Sequence, residues 1–273
     1  MKTTPNCKIN LGLQVMRRRE DGYHDLETLF IPVPLCDELE INPSENFSFS
    51  QSGIAIGCKT EDNIVVKAFR LMQHECGNSL PDVNIHLHKQ IPFGAGLGGG
   101  SSDAAFTLRM LNDIFGLGFS ADRLRTLAAR LGADCAFFID NEPAFATGIG
   151  DRLTPLGFNP LARHKLLIIK PNEAVSTAEA YRGVTPREQA GTKSSISLPE
   201  AARLPIEQWN ETIVNDFEAS VFKTHPLLKE LKESLLANGA KYAAMSGSGS
   251  TIYGIFDIND DIPTYDNSYC FTY

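Results

Sequence analysis

The sequence predicts an α+β protein of two lobes, because strand patterns and helix patterns alternate along its 273 residues. Apolar and polar residues alternate at positions 7–15 and 83–88, which is typical of strands with one buried face. Apolar residues recur at helical spacing after Asn63 and again after Asp103. Neither pattern occupies the whole chain, so strands and helices are both expected in each half.

A change in composition near residues 154–164 predicts the boundary between the lobes. Pro155, Gly157 and Pro160 interrupt the chain there, before an apolar strand at residues 166–169. We therefore assign residues 1–157 to the N-terminal lobe and residues 158–273 to the C-terminal lobe.

The charge balance and the cysteines narrow the class of protein. The chain has 25 Lys and Arg against 33 Asp and Glu, so its net charge of −8 argues against nucleic-acid binding, which requires excess cations. The six cysteines lack the two-residue spacing of zinc or redox motifs, which favours free thiols in a reducing cytoplasm. The first residues contain no continuous apolar segment, and the apolar runs are short, so neither secretion nor a membrane partner is expected.

The densest glycine segment lies between a predicted strand and a predicted helix, at residues 94–102. Its unsubstituted backbone N–H groups and the following helix N-terminus are suited to a polyphosphate. The alternative is a flexible linker, but a linker does not need an amphipathic strand before it and an amphipathic helix after it.

Other glycine-rich nucleotide sites fit this segment less well. Its glycines satisfy G-x-G-x-x-G, but the preceding strand alternates His86 and His88 with apolar residues, whereas a Rossmann strand is buried on both faces. Pro92 also separates that strand from the glycines. A P-loop requires lysine after its last glycine, where this chain has Ser101, and the H-R-D loop of protein kinases is absent.

Residues 92–105, Pro-Phe-Gly-Ala-Gly-Leu-Gly-Gly-Gly-Ser-Ser-Asp-Ala-Ala, resemble the phosphate loop of the GHMP small-molecule kinases. Further segments similar to motifs of that family are residues 8–11, 21–24, 132–138, 148–150 and 246–249. Several of them resemble the branch of the family whose acceptor carries a cytidine diphosphate group. The departures are small: Cys7 replaces a frequent alanine, and Cys135-Ala136 replaces a frequent Val-Pro.

The resemblance implies a fold and a function. The fold would be the two-lobed GHMP kinase fold, with an N-terminal ribosomal protein S5 domain 2-like lobe, a C-terminal ferredoxin-like lobe and an active site between them. The function would be ATP- and Mg²⁺-dependent phosphorylation of the 2-hydroxyl of a cytidine-diphospho-methylerythritol, in non-mevalonate isoprenoid synthesis, by a monomer or homodimer. The alternatives are a GHMP kinase acting on homoserine, mevalonate or a sugar, and a non-catalytic nucleotide-binding protein of the same fold.

The resemblance also implies roles for individual residues. Lys8 and Asp134 would be catalytic, although a strand lysine in solvent and a helix N-cap are the ordinary interpretations of these positions. Asn63 would contact the adenine, with N-capping as its alternative, and Ser101 and Ser102 are candidate ligands of Mg²⁺. The residues expected to bind ATP are Pro92, Phe93, Gly94, Ala95, Gly96, Leu97, Gly98, Gly99, Gly100, Ser101, Ser102 and Asn63.

The acceptor side has five candidates. Asn10, on the same face of its strand as Lys8, would bind the acceptor hydroxyl. Tyr23 and His24 resemble the pair that receives the cytosine, and Tyr181 would close the stack, with core packing as its alternative. Lys89 would meet the diphosphate or the ATP phosphates, or lie in solvent at the strand end.

Overall fold

The computed structural model describes residues 1–191, 196–265 and 268–273, and its contacts divide the chain into two compact units. Unit 1 consists of Met1–Lys8, Pro32–Phe93 and Gly98–Glu142, and unit 2 of Ile9–Ile31, Gly94–Leu97 and Pro143–Tyr273. Long strands pass from one unit into the other along the chain. The boundary after residue 157 stays a prediction.

The described residues contain twelve strands and ten α-helices. The strands are β1 (Lys2–Thr3), β2 (Asn6–Arg18), β3 (His24–Cys36), β4 (Glu38–Pro43), β5 (Ser48–Gly53), β6 (Val83–Lys89), β7 (Ala144–Thr147), β8 (Arg152–Pro155), β9 (His164–Pro171), β10 (Tyr242–Met245), β11 (Ile252–Asp257) and β12 (Ser268–Thr272). The helices are α1 (Ile64–Glu75), α2 (Gly99–Ile114), α3 (Ala121–Ala129), α4 (Phe137–Asp140), α5 (Thr177–Gly183), α6 (Arg187–Ala190), α7 (Leu198–Ala201), α8 (Trp209–Thr212), α9 (Glu218–Thr224) and α10 (Pro226–Ala237). Short 3₁₀ turns occupy Thr60–Asp62, Ala133–Ala136 and Ile206–Gln208.

Unit 1 is built on a four-stranded sheet in the order β1-β4-β6-β5. The β5–β6 pair is parallel, and the other two pairs are antiparallel. Helices α1 and α2 pack against each other, and their apolar faces bury Phe69, Met72, Leu108 and Leu111. This arrangement fixes the direction of α2, whose first turn follows the glycine segment.

Most of β2, β3, β7 and β8 form the first sheet of unit 2, in that order. The second sheet of this unit is antiparallel, in the order β10-β11-β9-β12, and α10 packs on it. Leu228 and Leu235 of α10 join Leu167, Ile169 and Phe256 of the strands in one buried cluster. Strand β12 lies in the last residues of the chain, where the sequence shows no motif.

The helix predicted after Asn63 is confirmed. The Asn63 side chain accepts a hydrogen bond from the Val65 N–H and begins α1, and the Ser120 side chain caps α3 in the same way. Helix α3 ends at Ala129, three residues before Gly132, whose φ of 176° is extended and is not the left-handed value that closes many helices.

The polar face predicted for residues 7–15 is buried, so its expected exposure is wrong. Lys8, Asn10 and Gln14 are at most 3% exposed. In unit 2 the outer edge of β2 is covered, because the Leu13 N–H donates to the Val214 carbonyl and the Leu13 carbonyl accepts from Asp216. A strand with a polar face held by partners has the same sequence pattern as one with that face in water.

Gly53 tests how closely β5 approaches β6. A Cβ at Gly53 would lie 2.1 Å from the Lys89 carbonyl oxygen, at a φ of +77°, whereas one at Gly77, with φ +64°, would meet nothing within 4 Å. We expect Gly77→Ala to lower the free energy of unfolding by about 1–2 kcal/mol, the cost of a left-handed conformation alone. Gly53→Ala should cost at least about 2 kcal/mol more, because backbone must also move. Urea unfolding of both variants measures the difference, and equal losses would contradict the close approach.

Candidate active site

The glycine segment adopts a conformation that requires glycine. Gly94, Gly96 and Gly98 have φ values of +61°, +75° and +69°, in the left-handed region. Gly98 is the N-cap of the 16-residue helix α2. The first N–H groups of a helix have no partner within it, so this end can bind an anion. Residues 94–97 belong to unit 2, and the chain from Gly98 belongs to unit 1.

Lys8 and Asp134 form an ion pair in unit 1. The Lys8 Nζ lies 3.2 Å from the Asp134 Oδ2, and the two side chains are 4% and 32% exposed. A Cβ at Gly98 would be 3.1 Å from the Lys8 Cε and from the Phe138 ring, so this lysine stem passes beside the start of α2. The structure thus excludes a solvated Lys8, and Gly132, instead of Asp134, holds the N-cap position of the 3₁₀ turn.

The two serines after the glycines lie in the first turn of α2. Ser101 hydrogen-bonds the Cys135 thiol, whose pKa is raised to about 12 by burial, so the thiol stays protonated. The Ser102 hydroxyl is fully buried and has no hydrogen-bond partner among the described residues. A buried hydroxyl of this kind can accept a further ligand or ion.

Lys89 lies in a buried cluster with two carboxylates, away from solvent. Its ammonium donates to Asp37 and, at 2.9 Å, to the Asp103 Oδ2. The Asp37 Oδ1 also accepts from the Gln90 and Ile91 N–H groups. Burial raises the pKa of Asp103, whereas the two carboxylates outweigh burial and raise the pKa of Lys89. A Cβ at Gly99 would be 3.3 Å from the Lys89 Nζ, so the cluster supports the start of α2 from inside unit 1.

Asn63 also has a structural task. Its side chain caps α1, and the residue is only 4% exposed. N-capping therefore accounts for this asparagine without a ligand.

Asn10, Gly96 and Ser246 lie together in unit 2. The Asn10 side chain donates to the Thr28 hydroxyl at 2.9 Å, and its backbone N–H donates to the Ser246 Oγ at 3.2 Å. The Ser246 hydroxyl in turn donates to the Gly96 carbonyl at 2.9 Å. A Cβ at Gly96 would lie 2.1 Å from the Ser246 carbonyl oxygen. The second glycine loop, residues 246–250, therefore contacts the first one backbone to backbone.

The aromatic candidates are arranged differently from the expected sandwich of Tyr23 and Tyr181. Tyr181 stacks on His24, with ring centroids 4.9 Å apart and planes 25° apart, and meets Phe217 edge-on at 4.9 Å. Burial, with a smaller contribution from Arg18, lowers the pKa of His24, which favours its neutral ring. Tyr23, at the turn between β2 and β3, is 63% exposed. The structure thus stacks Tyr181 on His24 and leaves the Tyr23 ring exposed.

Sequence reasoning missed Asp37, Asp103 and Thr28 as members of these clusters. Asp103 directly follows the serines of the glycine segment, and that position was its only signal. Within residues 1–191, 196–265 and 268–273, no group of three His, Cys, Asp or Glu side chains could hold a metal ion. In the same residues no helix is both long and apolar enough to cross a membrane.

Two family models match this chain, one in each half. Residues 63–148 match the family described as GHMP kinases N terminal domain, and residues 198–262 match GHMP kinases C terminal. The chain belongs to the GHMP kinase family. Within it, the chain is 49% identical to the 4-diphosphocytidyl-2-C-methyl-D-erythritol kinase of Bacteroides thetaiotaomicron, over 99% of this chain and 98% of that protein.

Solved structures extend the comparison to the fold. A crystal structure of 4-(cytidine 5'-diphospho)-2C-methyl-D-erythritol kinase is 36% identical, with a TM-score of 0.78 and coverage of 93% of this chain and 90% of that one. The mevalonate kinase of Methanococcus jannaschii is 12% identical, with a TM-score of 0.67 and coverage of 94% and 90%. The predicted α+β fold with N- and C-terminal GHMP kinase domains is confirmed.

The buried cluster around Lys89 provides a test of its structural role. Lys89→Met would leave Asp37 and Asp103 buried without a cation, which costs about 3–5 kcal/mol of stability for a broken buried pair. The control is Lys2→Met, which removes the surface partner of Glu38 in the same sheet and should leave the urea midpoint unchanged within error. Similar midpoints for the two variants would contradict the structural role of Lys89.

Proposed function

We propose that this protein is an ATP-dependent kinase that phosphorylates the 2-hydroxyl of 4-diphosphocytidyl-2-C-methyl-D-erythritol. The observation that carries the proposal is the Lys8–Asp134 pair beside the N-terminus of α2. Phosphoryl transfer requires positioning and charge neutralisation more than covalent chemistry, and a carboxylate with a neighbouring cation supplies both. The relative from Bacteroides thetaiotaomicron, which is named for this activity, is similar to this protein over nearly the whole chain.

ATP is proposed to bind with its phosphates on residues 94–102. The three left-handed glycines and the first turn of α2 offer backbone N–H groups and a positive helix end. Phe93 is 68% exposed beside this segment, so its ring is accessible to the nucleotide. Lys89 is paired with two carboxylates, and we assign it to supporting Gly99 instead of contacting phosphate.

Asp134 is proposed to receive the proton of the acceptor hydroxyl as that oxygen attacks the γ-phosphorus. The bond from the γ-phosphorus to the bridging oxygen of ADP breaks in the same step. Lys8, paired with Asp134 at 3.2 Å, places a positive charge next to the transferring group, where negative charge is spread over the phosphoryl oxygens.

Magnesium is the implied companion of ATP, and the residues present fit it. Mg²⁺ prefers hard oxygen ligands and takes several of them from phosphates and water. The buried Ser102 hydroxyl, which lacks a partner among the described residues, is an oxygen donor that would hold it. When bound, the ion would neutralise phosphate charge.

The acceptor is proposed to bind through unit 2. The rings of His24 and Tyr181 are stacked, and the exposed Tyr23 precedes His24 in the chain. We propose that these three aromatic side chains form the surface that receives a flat base. Asn10 is held by Thr28 and Ser246 and offers its amide to the hydroxyl end of the acceptor. Mevalonate, homoserine and sugars have no aromatic ring to stack, so this surface favours the cytidine acceptor.

The state of the cysteines bears on the compartment in which the enzyme acts. All cysteines of the chain are free thiols, which fits a reducing compartment such as the cytoplasm. We propose that the enzyme acts there as a monomer or homodimer.

The function is tested with the purified protein, ATP, Mg²⁺ and a panel of alcohols, by following ADP. We expect turnover with 4-diphosphocytidyl-2-C-methyl-D-erythritol and little with mevalonate or homoserine. Asp134→Asn should lower kcat by about 10²–10⁴ with ATP affinity nearly unchanged, because the proton acceptor is lost.

The matched control is Asp140→Asn, which removes an exposed carboxylate six positions later that pairs with Arg125. It should keep wild-type kcat. Faster turnover of mevalonate or homoserine would make the acceptor assignment wrong, and an Asp134→Asn rate within threefold of wild type would remove Asp134 from the mechanism.

Tyr23 tests the acceptor surface. Loss of one stacked ring is worth about 1–3 kcal/mol per base, so Tyr23→Ala should lower kcat/KM for the cytidine acceptor by roughly 5- to 150-fold, with the KM for ATP little changed. Because Tyr23 is exposed, the thermal midpoint should not move. Tyr273→Ala, which removes another exposed tyrosine of unit 2, is the control. An unchanged acceptor KM in Tyr23→Ala would argue that the base binds elsewhere.

A further inference from the structure

A buried asparagine, Asn215, supports the second glycine loop. Asn215 is 2% exposed, and its side-chain amide donates to the carbonyls of Met245 and Gly247, both at 2.8 Å. Its Oδ1 accepts the Phe217 N–H at 3.0 Å. One side chain thus connects both ends of the turn that follows β10 to the start of α9.

The backbone of this asparagine is fixed to β2. Asn215 forms a parallel bridge with Leu13, whose N–H and carbonyl bond the residues on either side of the asparagine. The next residue, Asp216, accepts the Val15 N–H and is paired with Arg187. The amide therefore starts from a backbone with little freedom to move.

Glu218 adds a second support for the same turn. Its Oε1 accepts the Met245 N–H at 2.8 Å, and its Oε2 binds the Lys232 ammonium at 2.6 Å. Glu218 and Asn215 line one wall of an open cavity of about 840 Å³ in unit 2. Three of the bonds that hold residues 245–247 thus come from the segment 215–218.

The supported turn leads directly to groups proposed for the reaction. Ser246 accepts the Asn10 N–H and donates to the Gly96 carbonyl. A Cβ at Gly247 would be 3.3 Å from the Asn10 Oδ1 and 3.4 Å from the Gly96 Cα. A shift of the turn by a few tenths of an ångström therefore moves or loosens both Asn10 and Gly96.

We propose that Asn215 is a positioning residue for the kinase reaction, acting through Ser246 on Asn10 and Gly96. It touches neither substrate. Its two donated bonds fix the turn so that the acceptor residue and the phosphate loop keep one relative placement within unit 2. The proposal rests on the function proposed above, because it assumes that Asn10 and Gly96 contact the substrates.

A double-mutant cycle separates this role from a merely structural one. Asn215→Ala, Ser246→Ala and the double variant are assayed well below their thermal midpoints, so that every protein is fully folded. We expect each single variant to lower kcat/KM by about 10-fold, because misplacement of reacting groups is costly. If Asn215 acts through Ser246, the double variant loses about 10- to 30-fold instead of the 100-fold of independent effects.

The control is Asn210→Ala. Asn210 also donates its side-chain amide to a carbonyl, that of Lys241 just before β10, but Asn210 is exposed and the carbonyl it bonds lies outside residues 245–247. It should retain wild-type kcat/KM. ATP affinity, measured by calorimetry without the acceptor, provides a second readout, and Asn215→Ala should weaken it because Gly96 lies in the phosphate loop.

The outcomes distinguish the two proposals. A wild-type protein that binds ATP but turns over no alcohol of the panel would contradict the proposed function, and the cycle is then read from ATP affinity. Additive effects, or wild-type kinetics and affinity in Asn215→Ala, would overturn the positioning role. Failure of both Asn215→Ala and Asn215→Ser to fold would show that the amide stabilises the unit as a whole, which also overturns it.

Discussion

The contact between two glycine loops in unit 2 is the constraint on which the site depends. Gly96 has a left-handed φ, and a Cβ there would occupy the space of the Ser246 carbonyl oxygen. The left-handed φ disfavours a side chain at Gly96, and the close approach of the carbonyl excludes one. Because the backbones touch, one serine hydroxyl can link β2 to the phosphate loop, and Asn10 is fixed by the same bond. A side chain at Gly96, or one longer than serine at position 246, would push β2 and the first glycine segment apart.

The corresponding constraint in unit 1 is electrostatic, because this unit holds two lysine side chains where little water reaches. Lys8 and Lys89 are both nearly inaccessible, yet each has carboxylate partners, so neither leaves an unpaired buried charge. The partners differ in exposure. Asp103 and Asp37 are fully enclosed, which suits support of a helix, whereas Asp134 keeps a third of its side chain accessible, which suits exchange of a proton with a ligand. Two lysines near one helix end thus differ in how far water reaches their carboxylate partners.

Local sequence signals predicted much of this structure, and long-range pairing accounts for what they missed. The cap at Asn63 and the glycine segment before α2 both rest on neighbouring residues. The pairing of Lys89 with Asp37 spans 52 positions, and the bond from Asn10 to Ser246 spans 236. Periodicity contains no information on such contacts, so the sequence pattern of β2 predicts a solvated polar face where the structure has one held by partners. Lys8 and Asp134 were found only through motif resemblance.

At the exposed turn that carries Tyr23, selection for substrate preference can act separately from selection for folding stability. Its ring contributes almost nothing to the folded core, and the arginines and aspartates around it pair at the surface. Exchanges at such positions leave folding nearly unaffected. If this ring meets the acceptor as proposed, preference for one alcohol over another can drift at this turn while the two glycine loops and their buried supports stay unchanged. Substitutions at this turn can therefore change which substrate is accepted without lowering the stability of the fold.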